Sequence, residues 1–288
     1  MRQASMNGGE SDVGASDLDD APDETSAPIV ELGGRFLTRR RLVISSAYWL
    51  TALVGPRSSG RAAPVAAGVT RELDTLGFGA IRLVGASALL VGLITVFQVA
   101  YQLAPYGAEV VSIRAVAWFV AREIGPIVVA ILVVARSAAA IAGEFASMST
   151  NGEIDALRAM GLDPVKYLVV PKLAALLIAL PALTSIAIAL AIVGGWMGTS
   201  GVLGFNTGLY LEQLHESLAI RDVGVGLAKS VLFAIIIGLV AADEGLSVDR
   251  RVSAIGHAAT RAVVHCLLGV LAADTFVNVV VYFIPGLT

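Results

Sequence analysis

Cysteine and charge are the scarcest commodities in this chain. A single cysteine, Cys266, in 288 residues excludes a disulfide framework. Charged residues make up only 15% and the mean hydropathy is +0.79, which excludes an ordinary soluble domain of this size. There is no basic patch interleaved with aromatics, so no nucleic-acid partner is expected. Nor is there a nucleophile–base pair, so no catalytic residue is expected. The histidines His215, His257 and His265 are scattered, and no metal site or cofactor is expected from them. GVGLAKS at 224–230 ends like a phosphate-binding loop, but Val223 and Ala228 occupy both glycine positions of that frame. The first 30 residues contain no aromatic residue and seven acidic ones, leaving nothing to bury. Residues 1–34 are therefore read as a disordered acidic tail, with an acidic docking tail as the alternative. A basic start and an apolar core are both missing, so the segment is not a secretory signal.

What the chain has instead is long apolar runs. Spanning a bilayer takes about 20 apolar residues. Leu83–Leu103 has no charge, Ile124–Gly143 only Arg136, Val223–Ala242 only Lys229, and Ala262–Thr288 only Asp274. Leu173–Leu211 is uncharged throughout, enough for one span and a neutral glycine-rich loop. The expectation is an all-α integral membrane protein with five spans, near 83–103, 124–143, 173–198, 223–242 and 263–284. Lys and Arg favour cytoplasmic loops. With the N-terminus inside, segments 1–82, 144–172 and 241–262 hold fifteen basic residues, against three in 104–123 and 204–222. The C-terminus then lies outside. Ahead of the spans, 35–82 reads as interfacial helices: Arg39–Arg41 with the short run after it, a break from Pro56 to Gly68, then Thr70–Arg82.

Between the second and third spans lies a polar island, EFASMSTNGEIDALRAMGLDPVKYLVVPK, at 144–172. Thr150 and Glu153 have the spacing of a capping box. Gly161 suits a left-handed stop, and Pro164 bars the helix from resuming. About ten residues lie between, roughly 15 Å of helix. Ile154, Leu157 and Met160 share one stripe, while Glu153, Asp155 and Arg158 cover other sides. Such a helix packs its stripe at home or offers it to a partner, and both readings stay open.

Four charges sit where charge is expensive. Arg136 falls near mid-span and Glu144 at the cytoplasmic edge of the same span; Lys229 and Asp274 lie within the fourth and fifth. Arg136 either faces a cavity or partner, or snorkels from a shifted span. Lys229 and Asp274 suit an ion pair, a headgroup contact or a hinge. Small residues recur every four positions at Ala135, Ala139 and Gly143, and at Ala138, Ala142 and Ala146, marking a close helix contact within or between subunits. Thr207–Ile220 suits an interfacial helix on the outer face.

The polar island, with REIGPIVVAILVVARSAAAIAGE (122–144) and IGHAATRAVVHCLLGVLAADTFVNVVVYF (255–283), resembles the signatures of the MlaE/YrbE family in colinear order. VARSAAA is less glycine-rich than usual in that family, and ADEGLSVDRR falls where its members vary. The family comprises permease subunits of ABC lipid transporters that work with MCE-domain proteins. The resemblance implies a bacterial inner-membrane, multi-pass subunit moving phospholipid or another hydrophobic lipid. Its partners would be a separate ABC ATPase, an MCE-domain protein, and a second copy or paralogue. Glu153, Ile154, Asp155, Leu157, Met160, Gly161 and Pro164 would couple to the ATPase, and Phe97, Gln98 and Tyr101 would face the lipid pathway. A scaffold or passive channel anchoring MCE-domain partners is the alternative.

Overall fold

A computed structural model describes residues 62–108, 110–248 and 254–283. The expected acidic tail at 1–34 and the short helix following Arg39–Arg41 lie outside the described residues. All described secondary structure is helical, and five helices are long and apolar enough to cross a membrane. They are α1 (Gly68–Tyr106), α2 (Val111–Thr150), α4 (Val165–Gly201), α6 (Ile220–Leu246) and α7 (Ala254–Phe283). Two short helices lie between them, α3 (Glu153–Ala159) and α5 (Thr207–Ser217). Helices are the expected outcome for such runs, since a backbone in hydrocarbon must satisfy its hydrogen bonds within the segment.

Each helix outruns the span expected from its apolar run. The segment 70–82 is continuous with the first span through a π turn at Asp74–Phe78, and α1 extends back to Ala62. The stretch 104–123, counted as an outer connector, already becomes helical at Val111. Hydropathy stops at the last apolar residue, but a helix continues as long as its backbone can bond. Two further π turns have a local cause. Val120–Ile124 and Val165–Val169 directly precede Pro126 and Pro171, whose rings would otherwise press on carbonyls one turn earlier.

Side-chain size sets the packing. α1 and α4 form the most extensive helix pair. A Cβ added at Gly92 would stand 2.6 Å from the carbonyl carbon of Ala191, and one at Gly194 would stand 3.0 Å from that of Leu89. The two backbones touch, and only hydrogen fits between them. α6 runs against α2, α4 and α7. On α2, Ala138, Ala142 and Ala146 are fully buried, with Ala142 against Gly245 of α6. The parallel stripe differs: Ala135 is exposed, Ala139 and Gly143 are half-buried, and a Cβ on Gly143 would meet nothing within 4 Å.

Candidate functional site

The link between α2 and α4 is held by backbone chemistry at both ends. α2 runs through Thr150, whose hydroxyl donates to the Ala146 carbonyl at 2.8 Å. Gly152, at φ +77°, turns the chain. The expected Thr150–Glu153 capping box therefore does not form: the N-cap of α3 is Gly152, without a side-chain bond. At the other end Gly161 takes φ +72°, its N–H donates to Arg158, and the Leu162 N–H donates to Leu157 at 3.0 Å. This paired arrangement is the Schellman stop. Asp163 then accepts from the Val165 N–H at 3.0 Å, and Pro164 opens α4 rather than lying in a connector. α3 is thus 7 residues long, shorter than expected, because a left-handed glycine stands at each end.

The apolar stripe of α3 is divided. Ile154 is buried against its own protein, Leu157 is half-buried, and Met160 is 66% exposed. Glu153 and Asp155 are exposed, and Arg158 pairs with Asp155 at 3.2 Å.

Lys229 is 1% exposed and lies at the centre of a polar cluster that joins three spans. Its ammonium is 2.7 Å from Glu123 of α2 and 2.9 Å from Asp274 of α7. It also donates to the Asn278 side-chain oxygen at 2.6 Å. The Asn278 amide donates to Glu123 at 2.9 Å and to Asp274 at 3.2 Å. The expected Lys229–Asp274 pair is therefore present, within a four-membered set. One cation faces two carboxylates, so the amide supplies donors that a second cation would otherwise provide. Toward the same end of α2, Arg122 pairs with buried Asp222 at 3.4 Å and lies over the Trp118 ring.

At the opposite end of these helices, buried Glu244 accepts from Arg261 at 3.0 Å and faces His265 Nδ1 at 2.9 Å. Lys172 of α4 is held by Glu72 at 2.8 Å and by Glu144 at 2.9 Å, over the Phe145 ring. Arg136 behaves differently. It lies on the π turn Val134–Ala138, is exposed, and no carboxylate stands within ion-pair distance of it among the described residues. Its guanidinium rests against Gly79, which precedes the first apolar run. The arginine thus lies beside the stretch of α1 just ahead of the Leu83–Leu103 run.

Phe97 is half-buried and packs on the Gly198 side of α4, while Gln98 and Tyr101 are exposed on α1. α5 begins at Asn206, whose side chain accepts from Gly208. It docks through Tyr210, whose hydroxyl donates to the Ile192 carbonyl at 2.7 Å. Burial pushes that phenol up to about 12. Among the described residues, no group of three or more His, Cys, Asp or Glu side chains is arranged to hold a metal.

Glu123, Asn278, Lys172 and Glu244 were not singled out from the sequence. Glu123 adjoins Arg122 at the edge of an apolar run and passes for a solvated connector residue. A carboxylate just ahead of a Gly-Pro inside what proves to be one long helix was the available signal.

Residues 69–280 match the family model described as Permease MlaE. A probable ABC transporter permease protein of Rickettsia typhi is 29% identical over 210 residues, 73% of this chain and 81% of that one. The intermembrane phospholipid transport system permease protein MlaE of Haemophilus influenzae is 27% identical over 215 residues, 74% of this chain and 82% of its own length. The chloroplastic protein TRIGALACTOSYLDIACYLGLYCEROL 1 of Arabidopsis thaliana is 29% identical over 153 residues, 53% of this chain and 44% of that protein.

Proposed function

Since the chain belongs to the MlaE permease family, we propose that it is the membrane subunit through which an ABC transporter moves phospholipid, driven by a separate ATPase seated on α3. The observation that carries the reading is the family match across all five long helices, joined to a short helix stopped at both ends by glycines. The chain is a multi-pass membrane protein. The phospholipid substrate rests on the Haemophilus influenzae relative, a permease of an intermembrane phospholipid transport system. In this reading the membrane is the bacterial inner membrane, α3 and the N-terminus face the cytoplasm, and an MCE-domain protein meets the outer end.

A transporter must pass the ATPase's displacement to its spans through a stiff connection. α3 joins α2, which carries Glu123, Arg136 and Glu144, to α4, which carries Lys172, so a push on it reaches both helices. Ile154 anchors the short helix to its own subunit, while Met160 and the exposed side of Leu157 present the apolar surface to the ATPase. The stripe at Ala135, Ala139 and Gly143 is the surface for a second copy or a paralogue.

The test is co-purification of the ATPase with Met160→Asp and Leu157→Asp, alongside lipid transfer by the reconstituted complex. An unpaired charge in that contact costs several kcal/mol, on the order of 3–5. Expression should stay normal because neither change touches a span. Normal ATPase recovery and transfer would remove α3 from the coupling path. A complex that binds its partners yet moves no lipid would favour a scaffold.

A further inference from the structure

A cavity of about 450 Å³ opens between α1, α2 and α4, and it is lined by Arg71, Thr75, Arg136, Ser137, Glu144 and Lys172 among others. We propose that it holds the phosphate of a lipid headgroup, gripped by the guanidiniums of Arg71 and Arg136. The charges of the wall divide unevenly. Lys172 is already satisfied by Glu72 and Glu144, at 2.8 and 2.9 Å. Those two carboxylates lie on the lysine, and the two arginines are left facing the cavity without an ion pair among the described residues. An arginine fork matches phosphate geometry and takes it in a bidentate manner.

The backbone makes room for this. A Cβ at Gly79 would collide with Nη2 of Arg136 and stand 3.0 Å from Nη1, so the glycine leaves room for the guanidinium to lie along α1, and a side chain there would make it shift. Arg136 itself projects from a π turn, which displaces it from the regular helical register. Further along α1 from the cavity-lining Thr75 and Leu76, the helix exposes Phe78 (70%) and Leu83 (47%), apolar surface suited to acyl chains. A free phosphate has no use for that surface; a phospholipid has use for both parts. The inference rests on the permease reading and adds to it a waiting site for the headgroup at the Arg136 level.

The experiment uses the full chain, purified with its ATPase partner, and native mass spectrometry against three probes. These are phosphatidylglycerol, dioleoylglycerol with no phosphate, and inorganic phosphate. The wild type should retain phosphatidylglycerol and not dioleoylglycerol. The double variant Arg71→Gln/Arg136→Gln should retain phosphatidylglycerol about tenfold less or weaker still, given the usual worth of a charged hydrogen bond. Arg136→Lys should lose part of that retention, because the charge stays and the fork goes. Lys166→Gln, an exposed residue outside the cavity wall, should lose none. Inorganic phosphate bound without lipid, and lost in the double variant, would keep the anion site and assign it to free phosphate. Equal retention of the two lipids, or wild-type retention of phosphatidylglycerol by a double variant that still carries its ATPase, would overturn the site. ATPase recovery and lipid transfer by the wild type are read separately, so failure of the permease reading is distinguishable from failure of the cavity.

Discussion

Lys229 is the side chain whose loss should cost this protein most. Its removal leaves Glu123 and Asp274 facing one another in the interior, with only the Asn278 amide between them. Lys229→Met should destabilise by about 3–5 kcal/mol, the usual cost of orphaning a buried charge. Thermal unfolding of the detergent-solubilised protein measures this. Neutralising both partners as well, with Glu123→Gln and Asp274→Asn, should recover most of the loss. If the triple variant is no more stable than the single one, the carboxylates are not the source of the penalty. Half of this cluster was legible beforehand. Lys229 and Asp274 interrupt apolar runs, so their expense is visible in one dimension. Glu123 was hidden by the arginine beside it, and Asn278 carries no charge at all.

At the scale of an element, α3 shows how a local rule loses to its neighbour. Thr150 and Glu153 have capping-box spacing, yet Gly152 ends α2 between them, and the threonine hydroxyl is spent on Ala146. The stop was legible because Gly161 and Pro164 each have a single strong conformational reading. Gly161→Ala should strain the left-handed turn by roughly 1–2 kcal/mol. Faster hydrogen exchange across 153–164 and reduced ATPase recovery are the measurements. α5 offers a pH test. The Tyr210 phenol is raised from 10.0 to about 12 by burial, so its folded form holds the proton more tightly than the unfolded chain does. Its contribution to docking is therefore complete below pH 10 and is lost as the pH rises through 12. A tyrosinate absorbance titration should lose a step near pH 12 in Tyr210→Phe.

For the whole molecule, five spans were readable because the runs between charges match a bilayer. Their pairing was not, because a run that is apolar all round does not say which side meets a neighbour. That information lies in glycines such as Gly92 and Gly194, which look unremarkable among the 30 glycines of the chain. Gly92→Ala should push α1 from α4 and destabilise by about 1–3 kcal/mol. Gly143→Ala, where added volume meets nothing, should be close to neutral. Thermal melts of the two variants side by side give the comparison, and equal melting temperatures would deny the backbone contact its importance.

The ion cluster also has a history in time. Glu123 precedes its lysine by 106 residues, and Asp274 follows later still. At a synthesis rate of about 5–20 residues per second, the glutamate leaves the ribosome roughly 5–20 s before its counterion exists. For that interval α2 carries a carboxylate that lipid rejects. The second helix must therefore wait at the insertion machinery, or in contact with water, until the fourth arrives. Biogenesis of this chain is then a retention problem, and a nascent chain truncated before Lys229 should stay crosslinkable to the insertion channel through α2.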